Sequence, residues 1–250
     1  MPRAIRRILI VRHGESLGNV DRSVHATHAD HATPLSEKGH AQAQAAGQFL
    51  AGFLAEVEEA EGSEGRFPPS YIRPRLWVSP YLRTRQTADG IEEGIGRVGA
   101  SVLYPGNDKP VPQFPRIRDR KEHLALCEQQ WGLFDGVSDE DLPVLFPNEH
   151  AHYKKQEDFE GRFWARMPLG ESRWDVAVRV HQAFGTWHRD AERHGIEDLI
   201  IVTHGVTARC LVMRWLHLPF EWIEKERNPK NCSIRLIMDG EDKGYIHEGG

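Results

Sequence analysis

The chain has 250 residues, with 32 Lys and Arg against 37 Asp and Glu, a formal net charge of -5. That balance argues against nucleic-acid binding through bulk charge, and 39% hydrophobic with 28% charged residues is ordinary for a soluble globular fold. Cys127, Cys210 and Cys232 are too scattered for a disulfide framework or a metal knuckle, and no stretch is long enough to span a membrane. The expectation is one cytoplasmic domain, 1–250, with neither nucleic acid nor membrane as partner.

Ile5 to Val11 is a β-rich run that stops at Arg12-His13-Gly14, and it reads as a buried strand ending in a turn. Residues 15 to 34 are polar and read as a loop. Ser36 can cap a helix carrying Ala41, Ala45, Phe49, Phe53 and Val57 at helical spacing. Gly62 to Pro74 reads as an exposed connection. Leu76 to Ser79 is a second short strand, and Pro80 opens a helix that Arg83 to Glu93 continues.

Leu103 to Arg120 holds four prolines and no clear period. Residues 104 to 170 are expected to form an irregular insertion with short helices, covering one end of the sheet. Ser172 and Asp175 form a capping-box pattern before a helix bearing Trp174, Val178, Phe184 and Trp187, with Gly195 as its stop. Trp174 and Trp187 are expected in the core. Leu199 to Thr203 is a third buried strand ending at His204-Gly205. Val206 to Leu216 is a helix, and Ser233 to Met238 a last strand. Strands alternating with helices predict a three-layer α/β/α fold with a mostly parallel central sheet.

Three of these strands end in polar groups: Arg12-His13-Gly14, Ser79 through Arg83, and Thr203-His204-Gly205. Ligands of open α/β sheets bind at the carboxyl ends of strands. If these three are parallel neighbours, two imidazoles and two guanidiniums share one pocket. Two Arg forks suit the oxygens of a phosphate, and a neutral imidazole is a competent nucleophile near pH 7. No metal or other cofactor is needed where arginines neutralise the transferring oxygens. The partner expected is a small phosphorylated substrate.

Arg12-His13-Gly14-Glu15-Ser16 with Asn19 resembles the signature of the histidine phosphatase superfamily, which includes the phosphoglycerate mutases. Ser79 to Ala88, Gly170-Glu171-Ser172 with Asp175 and Arg179, and Thr203-His204-Gly205 resemble its later blocks, in family order. The resemblance implies a phosphoglycerate mutase-like sheet flanked by helices. It implies that His13 is phosphorylated, with Arg12, Arg83 and His204 around the phosphate and Asn19, Ser16 and Gly205 as further binding positions. Glu128-Gln129-Gln130-Trp131-Gly132 resembles the segment that carries the family's acid, so Glu128 is expected to protonate the leaving group. Glu122, Asp119 and Asp135 are nearby competitors on residue type alone.

The departures from true mutases favour water as the acceptor. No pair of adjacent arginines followed by an aromatic residue, an Asp and prolines lies between residues 104 and 170. Val206 stands where mutases carry Asn, and Asp21 to His31 replaces a Gly-Trp-rich stretch. Gly18 to Asp21 and Asn228 to Cys232 resemble phosphatase-type members. The alternatives are a phosphoglycerate mutase-type phosphotransferase and a catalytically weak binding module of the same fold. His25, His28 and His31 are expected to line the pocket mouth rather than bind metal. Arg116, Arg118, Arg120 and Lys121 form a basic cluster, either solvated or recruiting an anionic substrate.

Overall fold

A computed structural model describes residues 5–63, 73–101 and 117–250. Strand β1 (Arg7–Arg12) is followed by the short helix α1 (Leu17–Val20) and the long helix α2 (Glu37–Ser63). Strand β2 (Arg75–Val78) leads into α3 (Leu82–Ser101), and β3 (Asp119–Glu122) into α4 (Leu142–Leu145) and α5 (Pro147–Glu160). Then come α6 (Arg173–His194), β4 (Asp198–Thr203), α7 (Gly205–Trp215), α8 (Glu221–Lys225), β5 (Ile234–Met238) and β6 (Glu241–His247).

The strands form one sheet in the order β3-β2-β4-β1-β5-β6. The first four are parallel, while β5 runs antiparallel to both β1 and β6. Strand β1 is apolar on both faces because helices cover both. Ile8 and Ile10 pack with Val180, Trp187 and Leu211 of α6 and α7. Leu9 and Val11 pack with Leu50, Leu54 and Ile91 of α2 and α3. Side chains alternate across a strand, so one hexapeptide nails both layers together. Each buried branched side chain contributes about 1.5–3 kcal/mol.

Helix α6 opens on the predicted capping box, with Ser172 and Asp175 each accepting from the other's backbone, and closes on Gly195 at φ 64°. Its apolar face departs from expectation at one end. Trp187 is fully buried, but Trp174 is 44% exposed and Val178 37%. Trp174 instead meets the partly exposed Trp164 at a tilt and the buried Phe163 edge to face.

The expected irregular insertion also needs correction. Asp119–Glu122 is an edge strand of the sheet, paired in register with Arg75–Val78. Farther along, Phe134, Leu142, Tyr153, Ala165 and Met167 form a small core of their own beneath α4 and α5. The stretches 64–72 and 102–116, with Arg116 of the basic cluster, lie outside the described residues. Arg120 and Lys121 are ion-paired with Asp89 and Asp190. Among the described residues, no helix is long and apolar enough to cross a membrane.

Candidate active site

Strands β1, β4 and β2 are parallel neighbours whose carboxyl ends lie level: Arg12 pairs with Thr203, and Val78 with Val202. The residues just past those ends therefore meet. The His13 amide donates to the Thr203 carbonyl (2.9 Å), and the His13 and His204 rings stand edge to face at 5.2 Å. A cavity of about 880 Å³ opens over them, lined by His13, Arg12, Arg83, Glu128, Asn19 and Ser16 among others.

His13 is 4% exposed. Its Nδ1 lies 2.7 Å from the Gly14 carbonyl, which can only accept, so Nδ1 carries the proton and Nε2 keeps its lone pair. Burial, reinforced by the Arg83 and Arg12 charges, holds its pKa well below the usual histidine value. The ring is thus neutral and nucleophilic at pH 7. Gly14 is required here, because a Cβ would stand 2.5 Å from the Gly39 carbonyl where α2 closes on the turn. His204 is fully buried behind the cavity floor, with Nε2 2.8 Å from the Ser79 hydroxyl and Nδ1 unpartnered within the protein. Burial and then the Arg83 charge also push its pKa well down.

The two arginines are held differently. Arg12 donates from one terminal nitrogen to the Pro229 carbonyl (2.5 Å), and its buried Nε has no hydrogen-bond partner. Arg83, 5% exposed, gives one terminal nitrogen to the Asp30 carbonyl (2.6 Å) and the other to the Asp30 carboxylate (3.2 Å).

Glu128 follows a 3-10 turn at Leu124–Leu126 that is held from several sides. The Thr203 hydroxyl donates to the Leu126 carbonyl (2.8 Å) and the Thr207 hydroxyl to that of Cys127 (2.6 Å). Arg179 donates to the carbonyls of Ala125 (2.6 Å) and Glu128 (3.0 Å) while paired with Glu171 (2.8 Å). The Glu128 carboxylate accepts from the Gln129 amide (3.0 Å). Of its competitors, Glu122 is paired with Arg85 and Asp119 with Arg75 on the β3 edge. Asp135 lines the cavity, its pKa raised by burial and then by the charge of Asp30.

Ser16 and Asn19 line the cavity and, like Gly205, also hold local structure. Ser16 and Asn19 form a capping box on α1 inside the stretch read as loop. The Asn19 carbonyl oxygen accepts from the Ser16 amide (3.2 Å) and the Asn231 amide (3.1 Å). Gly205 leaves room for Asn228, whose oxygen lies 2.3 Å from where a Cβ would stand. His25 lines the cavity, whereas His28 bonds Thr27 (3.0 Å) and His31 packs on Tyr81. Among the described residues, no three His, Cys, Asp or Glu side chains gather as metal ligands.

Sequence reasoning missed Asp30, Ser79, Arg209 and Asn231. Arg209 lines the cavity bonded only to carbonyls, those of Gly205, Ile223 and Glu226. Asn231 donates to the His13 carbonyl (3.0 Å). Ser79 and Asn231 lie within stretches singled out in the sequence, Ser79–Ala88 and Asn228–Cys232, without a role assigned to either.

The model of the histidine phosphatase superfamily (branch 1) matches residues 8–103 and 118–248. A phosphoglycerate mutase-like protein of Arabidopsis thaliana is 31% identical over 247 residues, covering 96% of this chain and 76% of its own. A broad-range acid phosphatase of Saccharomyces cerevisiae is 27% identical, covering 96% of this chain and 88% of its own. Among solved structures, a mycobacterial glucosyl-3-phosphoglycerate phosphatase superposes with a TM-score of 0.63 at 20% identity, covering 98% of this chain and 97% of its own. At that identity the likeness speaks for the fold.

Proposed function

Because the chain belongs to the histidine phosphatase superfamily (branch 1), we propose that it hydrolyses phosphate monoesters through a phosphohistidine at His13. The observation that carries this reading is the state of His13: a buried, neutral ring whose Nδ1 is committed to Gly14, leaving Nε2 as the nucleophile in a cavity that Arg12 and Arg83 also line. The relatives include a protein described as a broad-range acid phosphatase, which agrees with it.

His13 Nε2 attacks phosphorus in line, the P–O bond to the leaving group breaks, and Glu128 gives its proton to the departing oxygen. Arg12, Arg83 and His204 stabilise charge on the oxygens in transfer. Glu128 then takes a proton from water, whose oxygen attacks the phosphohistidine. The N–P bond breaks and orthophosphate leaves. The cavity of about 880 Å³ is far larger than orthophosphate, so the ester's organic part has room up to the size of a sugar or nucleoside.

Rapid-quench labelling tests this directly. Substrate bearing a labelled phosphoryl group should leave acid-labile, alkali-stable label on wild-type protein and none on His13→Ala. Release of orthophosphate by His13→Ala at the wild-type rate overturns the mechanism.

A further inference from the structure

We propose that Asp30 is an internal anion that occupies the Arg83 fork in the resting site and yields it to the substrate's phosphoryl group. This rests on the reading of the site as phosphate-binding. The two arginines differ in a way that phosphate binding alone does not require. Arg12 meets a carbonyl and keeps a buried Nε without a partner. Arg83 meets a carboxylate, with Asp30 oxygens 2.9 and 3.2 Å from its two terminal nitrogens and the Asp30 carbonyl at 2.6 Å. A carboxylate and a phosphoryl group need the same pair of donors. Two anions crowded onto one buried fork repel each other, so phosphate binding has to work against Asp30.

The surroundings suit displacement. Asp30 sits in a 3-10 turn of three residues, Asp30–Ala32, rather than in a sheet or long helix. The titratable groups facing it are Arg83, His25 and Asp135. Asp135 repels the carboxylate. His25 offers a destination, since its buried Nδ1 has no hydrogen-bond partner and stands 3.9 Å from the nearer Asp30 oxygen. A small movement hands the carboxylate from Arg83 to His25. The His25 ring lies close over Gly18, where a Cβ would stand 2.4 Å from its Nε2. The gain is at the end of the reaction: a tethered carboxylate competes for Arg83 at very high effective concentration and helps expel orthophosphate.

The test is the affinity of orthophosphate, by calorimetry and as a competitive inhibitor of p-nitrophenyl phosphate hydrolysis. Asp30→Asn keeps the shape and the backbone carbonyl but removes the charge. It should bind orthophosphate about tenfold more tightly than wild type, with KM lowered and kcat not raised. Asp30→Ala should shift in the same direction, and thermal midpoints verify that both variants fold. Suppose wild type binds orthophosphate and releases it from esters, while both variants bind it equally or more weakly. Asp30 then merely orients Arg83, and the proposal falls while the phosphatase reading stands. If orthophosphate binds none of the three proteins, both fall.

Discussion

The ring nitrogen Nε2 of His204 lies 2.8 Å from the hydroxyl of Ser79, in a place where neither side chain reaches solvent. This bond ties the end of β2 to the end of β4 and fixes one His204 nitrogen, leaving Nδ1 as the atom free for another partner. Replacing Ser79 by Ala strands a buried polar atom. Ser79→Ala should lose about 1–3 kcal/mol of stability in urea denaturation, a penalty set by the unsatisfied nitrogen. An unchanged urea midpoint would mean that the bond carries no weight.

His13→Asn should lower kcat on p-nitrophenyl phosphate by a factor on the order of a thousand or more, since no other group replaces the nucleophile. Its fold should survive, because the side chain contributes a single bond to its neighbour Gly14. Steady-state kinetics with circular dichroism on the same sample test both halves.

Arg179 does not reach the reacting atoms, but its guanidinium ties the carbonyls of Ala125 and Glu128 to Glu171. Arg179→Met should let Glu128 drift. Alkyl phosphates, whose leaving oxygens need a proton, should then slow about tenfold more than p-nitrophenyl phosphate. Glu128→Gln should show the same pattern more steeply. Equal loss across leaving groups in both variants would place the acid elsewhere, with Asp135 the next residue to test.

Gly205→Ala drives a methyl group to within 2.3 Å of the Asn228 side-chain oxygen at the cavity wall. It should cost about 1–3 kcal/mol, as overpacking does. Asn228→Ala in the same chain should restore most of that loss. Thermal melts of the two single variants and the double variant complete the cycle, and the absence of recovery would put the strain in the α7 backbone.

His13 and His204 both have pKa values held well below 6.5 in the folded state, chiefly by burial. In the unfolded chain they take up protons near pH 6.5, so over the window below it the unfolded state binds more protons. Stability is therefore fully present above about pH 6.5 and falls as pH drops towards the folded values. His204→Asn should flatten this decline between pH 6.5 and 5. A parallel decline in wild type and variant would show that other groups dominate it.

The core of the site was legible because burial writes itself into sequence. Runs such as Ile8 to Val11 and Leu199 to Val202 can only be covered strands, and a polar residue abutting such a run must sit at a strand end. That alone located His13, His204, Arg12 and, through the turn after β2, Arg83. Strand β3 was illegible for the opposite reason: Asp-Arg-Lys-Glu has no apolar face, and it joins the sheet through backbone pairing to β2. Ser16 and Asn19 line the cavity, and their spacing also spells a helix cap, which the structure shows them making. The grip of Asp30 on Arg83 joins residues 53 positions apart in sequence, and no local pattern announces it. Trp174 and Val178 sit one position off the buried α6 stripe of Arg173, Ala177, Val180, Phe184 and Trp187, so both are partly exposed and Trp174 meets Trp164.

Strand β1 has only two hydrogen-bonded neighbours, β4 and β5, and both come from the last fifth or so of the chain. His13 is therefore translated long before the strands that frame it. Until residues past Met238 have emerged, His13 has no Thr203 carbonyl, no His204 and no Asn231 to hold it. A nascent chain that lacks β4 and β5 carries His13 without the frame that orients it. Loss of β4 and β5 thus leaves His13 unframed, and slow non-local pairing makes the assembly of this region a late event in folding.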